Sequence, residues 1–268
     1  MNAVASSIPR SLASERTFLG VSALLFAAST AITIVWCASM AEMDGMAMPG
    51  GWTMSMAWMR MPGQTWLAAA TTFLGMWTVM MVAMMLPALV PALLRYREAV
   101  GPTQAARLGR LTALVGAGYF LVWALSGLLA FPLGVALAEI EMRIPAVARF
   151  VPVAAGAIVL LAGALQFTSW KRQQLACCQE RPGRGRVLVA DAATAWRHGL
   201  RLGLHCNYCC APLTAVLLVL GVMDLGAMAV VTAAITAERL APAGERVARV
   251  IGTVVVAAGA FLLVRASG

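Results

Sequence analysis

Thr65–Leu94 reads TWLAAATTFLGMWTVMMVAMMLPALVPALL, thirty residues without one charged side chain. A helix crosses the hydrocarbon of a bilayer in roughly 20 apolar residues, so this stretch is long enough with turns to spare. In hydrocarbon the backbone must satisfy its own hydrogen bonds, and a helix does so within one segment. The alternating pattern of a membrane β-barrel is absent. Pro87 and Pro91 remove backbone donors near one end and predict a kink there.

Working outward, comparable apolar runs recur at about Phe18–Ala38, Leu111–Ala138, Phe150–Ser169, Pro212–Ala237 and Val250–Val264. The expected fold is all-α: a polytopic transmembrane helix bundle of about six spans, forming one integral-membrane domain over residues 1–268. Composition agrees. The chain is 61% hydrophobic and 12% charged, whereas soluble domains carry about a quarter charged residues. No internal repeat and no soluble domain stand out.

The net charge of +9 does not indicate nucleic acid, because the basic residues sit in short connections between apolar runs. That pattern reports membrane orientation. With six spans, fourteen Lys and Arg fall on one side and six on the other, the six being Arg60, Arg143, Arg149, Arg239, Arg246 and Arg249. Both termini are therefore expected in the cytosol, across a bacterial inner membrane. Ser39-Met40-Ala41 loosely resembles a signal-cleavage site, but the apolar run before it is longer than a usual signal core. In the cytosolic connection 170–211, Leu188, Ala192, Trp196 and Leu200 recur at helical spacing beside Arg197 and Arg201. This predicts a short amphipathic helix lying on the membrane face.

Soft metal ligands cluster in this chain. His205-Cys206-Asn207-Tyr208-Cys209-Cys210 ends where the fifth run begins. C-x-x-C spacing with a third cysteine brings several thiolates to one ion, and thiolates select Cu(I), zinc or iron–sulfur clusters. A helix start, expected here, also favours negative ligands. Cys177, Cys178 and His198 share the same connection and are candidates to complete the set; the competing reading of Cys177-Cys178 is an incidental pair. On the outer side, the loop 40–64 holds Met43, Met46, Met48, Met54 and Met56 among its methionines. Thioethers bind Cu(I) without deprotonation; the competing reading is an apolar loop resting at the interface. Met80 and Met84, with Met81 and Met85 in a neighbouring row, stripe the second span as packing or as ligands. Asp224 is expected near the middle of the fifth span, where a carboxylate is costly and usually faces a cavity, a partner or a transported ion. Glu238 is expected at that span's outer end.

Several of these stretches resemble a bacterial family of predicted metal-binding integral membrane proteins often labelled copper-chaperone-like. They are Trp77–Pro91 (WTVMMVAMMLPALVP), Leu165–Pro182 (LQFTSWKRQQLACCQERP), His198–Leu225 with CNYCCAP and GVMDL, and Glu238-Arg239-Leu240. The doubled Cys177-Cys178 stands where the family carries a single cysteine. The resemblance implies metal binding, with copper favoured.

The leading expectation is a Cu(I)-handling protein, with zinc as the alternative metal. Outer methionines would collect the ion, the Met80 and Asp224 region would pass or hold it, and Cys206, Cys209 and Cys210 would receive it. The partners are the lipid bilayer and another membrane protein or cuproprotein. Two other readings remain: a membrane thiol oxidoreductase using Cys206 and Cys209, and a non-catalytic assembly subunit with structural zinc. No phosphate-binding loop, nucleophilic triad or paired-carboxylate site is present, so no other enzymatic role is expected.

Overall fold

A computed structural model describes residues 8–41, 45–60, 63–100, 105–179 and 189–267. Met43 lies outside the described residues, as do the side chains of Cys177 and Cys178. The described chain forms eight α-helices and one small hairpin: α1 (Ile8–Ala41), β1 (Met46–Met48), β2 (Trp52–Met54), α2 (Trp66–Val100), α3 (Ala105–Arg143), α4 (Pro145–Leu165), α5 (Ser169–Gln179), α6 (Ala192–Leu220), α7 (Leu225–Leu240) and α8 (Gly244–Ser267). Six of the helices, α1, α2, α3, α4, α6 and α8, are long and apolar enough to cross a membrane. Their outer faces expose large apolar side chains such as Leu24, Leu67, Leu129, Val254 and Val264. A surface of that kind is compatible with a multi-pass membrane protein, where lipid replaces water.

The thirty-residue stretch of the second run is the centre of the bundle. In α2, Phe73, Met76, Trp77, Met80, Met81, Met84, Met85 and Leu89 are all buried. They form one core with Val115, Tyr119 and Trp123 of α3, Cys206, Cys209, Cys210, Leu213 and Leu217 of α6, and Met228, Val231 and Ile235 of α7. The Trp77 indole donates to the Trp123 carbonyl at 2.8 Å, fixing α2 against α3.

The fifth run is not one helix. Gly221 ends α6 at φ +131°, a backbone region that favours glycine. Asp224 then caps α7, its Oδ1 accepting from Ala227 N at 2.7 Å. Asp224 is therefore exposed at a helix start, not buried in mid-span. Hydropathy alone does not register such a break, because both flanks are apolar. The amphipathic stretch around Trp196 is likewise no separate surface helix. It forms the first turns of α6, where Ala195, Gly199 and Gly203 begin a buried stripe that continues through Cys206, Cys210, Leu213 and Leu217. The cysteines thus sit within a helix, and the expected benefit of free N–H groups at a helix start does not apply.

This break also moves the C-terminus. Arg97, near the end of α2, donates to Ser14 Oγ at 2.8 Å, so α1 begins where α2 ends. Arg172 in α5 pairs with Glu245 at 3.8 Å, so α8 begins beside the end of α4. It then runs back along α4, with Gly252 against Gln166 and Leu263 against Gly156. With α7 as a return segment, the starts of α1 and α8 lie at one end of the bundle and α8 finishes at the other. The described chain thus begins, at residue 8, and finishes, at residue 267, at opposite ends of the bundle, where six simple spans would put both at one end.

Candidate metal centre

Cys206, Cys209 and Cys210 occupy positions i, i+3 and i+4 of α6 and so share one face. All three are fully buried, at 0%, 1% and 2% exposure. Cys206 Sγ and Cys210 Sγ are 3.8 Å apart. Three neighbouring elements close around them. α3 runs parallel to α6 and brings the Tyr119 hydroxyl to 2.9 Å from Cys206 Sγ. It approaches so closely because of Gly199 and Gly203: a Cβ on Gly199 would meet the Val115 carbonyl oxygen at 2.3 Å. α7 returns antiparallel to α6 and brings Arg239, whose Nη1 donates to Cys206 Sγ at 2.9 Å. α5 brings Lys171, whose Nζ donates to the Cys209 carbonyl at 2.8 Å.

Lys171 also pairs with Glu238 Oε2 at 2.7 Å, and both side chains are buried, at 1% and 2% exposure. A buried ion pair offsets its desolvation only with good geometry and further hydrogen bonds. Here it ties α5, α6 and α7 together at the cysteines. Glu238 is therefore buried beside the cysteines, where the sequence led one to expect it at the far end of a fifth span. It lies one helix away from the thiols, at the opposite end of α7 from Asp224. Lys171, Arg239 and Glu238 together carry one positive charge in excess, and Arg239 places it against a sulfur.

The other expected ligands are dispersed. His205 is exposed and stands next to Cys206 on a different face of α6. His198 stacks on Tyr96 with ring centroids 5.3 Å apart. It is two turns before Cys206, about 12 Å along the axis at the rise of a helix. Met80, Met81, Met84 and Met85 are all buried in the same core as the cysteines. Met48 and Met54, within the β1–β2 hairpin, pack instead against Ala138 and Ala148, while Met46 is exposed and Met56 half-buried. That hairpin is pinned by Trp52, which donates to the Ala148 carbonyl at 2.9 Å.

Among the described residues no three His, Cys, Asp or Glu side chains are arranged to hold one metal ion. Structural zinc takes four tetrahedral ligands, and the described residues do not provide them. The close pair is Cys206 with Cys210, not the C-x-x-C pair. Cu(I) accepts as few as two soft ligands, and a sulfur pair in a core rich in thioethers fits that chemistry.

Sequence reasoning passed over Tyr119, and it used Lys171 and Arg239 for their charge and within the family stretches without placing either at the cysteines. One signal was available. Gly221 followed by Asp224 is a helix-stop and helix-start pair. Reading it would have folded Glu238-Arg239 back onto the cysteine side.

A family model described as "PpoB2: Copper chaperone" matches residues 74–262. No curated protein and no solved structure matches the chain.

Proposed function

The chain belongs to the copper-chaperone family PpoB2, and from that membership we propose that it binds Cu(I) as cargo between Cys206 and Cys210. The observation that carries this reading is the placement of Arg239 and Tyr119 on Cys206 Sγ with Cys210 Sγ 3.8 Å away. A Cu(I) ion held by two thiolates carries one negative charge. The excess positive charge of Lys171, Arg239 and Glu238 offsets it without solvent, where an unpaired charge would be costly. Cys209 stands one position from the pair as a third thiol. Its carbonyl is held by Lys171, which fixes the turn that carries the other two.

The methionines of α2 extend soft ligands away from this pair through the core, so an ion can be relayed between thioether and thiolate. The protein acts as a carrier, not an enzyme, and delivers to another membrane protein or cuproprotein. A thiol-exchange role has less support: exchange needs access of a partner thiol, and all three cysteines are buried. The cysteine end of the bundle faces the cytosol in this reading. Among the described residues, the helix directions leave Arg60, Arg143, Arg149 and Arg265 on the outer side. That is a stronger asymmetry than six simple spans give.

The test is retention of Cu(I) by reduced protein in nanodiscs against a chromophoric chelator. Cys206→Ser/Cys210→Ser is expected to lose one equivalent that wild type holds, while His205→Ala retains it. Equal retention in wild type and the double variant would overturn the assignment.

A further inference from the structure

A second pair of sulfurs meets at the far end of the bundle, away from any sequence motif. Cys37, near the end of α1, lies 3.9 Å from Met223 Sδ in the turn between α6 and α7. The two residues are 186 positions apart in the chain, so only the fold brings them together. We propose that Cys37 and Met223, with the Asp224 carboxylate beside them, form an outer soft-metal site that takes up Cu(I) from the side opposite the cysteine cluster.

The other small polar residues on the buried face of α1 behave differently. Ser29 donates to Phe26 O and Thr33 donates to Ser29 O, both within their own helix. Cys37 instead directs its thiol away from α1 to a thioether. Cys37 is 4% exposed, Met223 is half-buried and Asp224 is exposed. The three thus form a short gradient from surface carboxylate to buried sulfur. Asp224 directly follows Met223 and is exposed at this end of the bundle, which puts a carboxylate on the approach to the sulfur pair. Its Oδ1 also caps α7, which holds the carboxylate in place.

Further sulfur lies inward. The Ser14–Arg97 hydrogen bond sets α1 antiparallel to α2. Moving 23 residues along each helix puts Cys37 level with about residue 74, within a turn of Met76. Met76, Met80 and Met228 are buried in the same core as Cys37, and Met223 packs against it. Cysteine sulfur with a thioether and reserve thioethers is a donor set for Cu(I), not for a hard cation. As the sulfur–copper bond forms, the Cys37 thiol proton leaves to solvent at this end.

This inference rests on the soft-metal reading above but concerns different residues, so the two can fail separately. The experiment uses full-length protein in nanodiscs carrying Cys206→Ser/Cys209→Ser/Cys210→Ser, titrated with Cu(I) against a chromophoric chelator. The triple variant is expected to retain one equivalent. Adding Cys37→Ser or Met223→Leu should weaken that equivalent at least tenfold. Met223→Leu keeps the apolar volume, so its effect reports the thioether, and an unchanged thermal midpoint excludes misfolding. A triple variant that binds no Cu(I), or binds it equally well after Cys37→Ser and Met223→Leu, overturns the outer site. Loss of copper between wild type and the triple variant tests the inner pair independently.

Discussion

At the scale of the residue, the arrangement depends on charges that hydropathy penalises. Lys171 and Glu238 are buried together, and removing one strands the other. Lys171→Met is expected to destabilise the protein by about 3–5 kcal/mol, whereas Lys171→Met/Glu238→Gln should recover much of that loss. Chemical denaturation in a mild detergent reads the difference; equal losses would show that the pair does not act as a unit. Arg239→Gln removes the charged donor to Cys206 Sγ. A hydrogen bond to a charged group is worth about 1.5–3 kcal/mol, so Cu(I) affinity should fall about 10- to 100-fold. Chelator competition measures it, and an unchanged affinity would detach Arg239 from the metal reading. The cysteines themselves were legible because six-residue clustering of soft ligands is a local signal. Tyr119, Lys171 and Arg239 were not, because their relevance comes from tertiary contact alone.

At the scale of the element, two short features decide where those residues meet. The first is the α6–α7 break. Asp224→Ala removes the cap of α7 and should cost about 0.5–2 kcal/mol, visible as a lower thermal midpoint. Gly221→Ala places a side chain at φ +131°, and the strain should add to that loss. The second is the close crossing of α3 and α6. Gly199→Val forces a side chain into the Val115 carbonyl, so the helices must part and Tyr119 must leave Cys206. Cu(I) binding is expected to weaken in Gly199→Val even though no ligand changes; binding equal to wild type would contradict the role given to this crossing. The apolar runs made most helices legible, since a length of roughly 20 uncharged residues is a robust sign. The fifth run misled because the 26 residues from Pro212 to Ala237 are apolar apart from Asp224, and one charge in such a run reads alike whether it sits in mid-span or at a turn. The start of α6 misled for a related reason: Trp196 and Leu200 have the spacing of a surface helix, but their neighbours Gly199 and Gly203 belong to a buried interface.

At the scale of the whole molecule, the return of α7 fixes both the site and the topology. It carries Glu238 and Arg239 to the cysteines and sends α8 out to the opposite end. A reporter that is active only outside the cytosol, fused after Gly268, should therefore be active. A fusion that is silent, alongside a cytosolic reporter that works there, would contradict the helix directions described. The family and the membrane bundle were legible from the sequence, because both rest on contiguous stretches. The juxtaposition of Cys37 and Met223 was not, because the two carry no motif and meet only in three dimensions.

The central claim is that Cys206 and Cys210 together hold Cu(I). X-ray absorption at the copper edge on Cu(I)-loaded protein tests it most directly, comparing Cys37→Ser with Cys37→Ser/Cys206→Ser/Cys210→Ser. The account predicts a low-coordinate, sulfur-only copper environment in the first variant and its loss in the second. Nitrogen or oxygen ligation in the first, or an unaltered spectrum in the second, would contradict it.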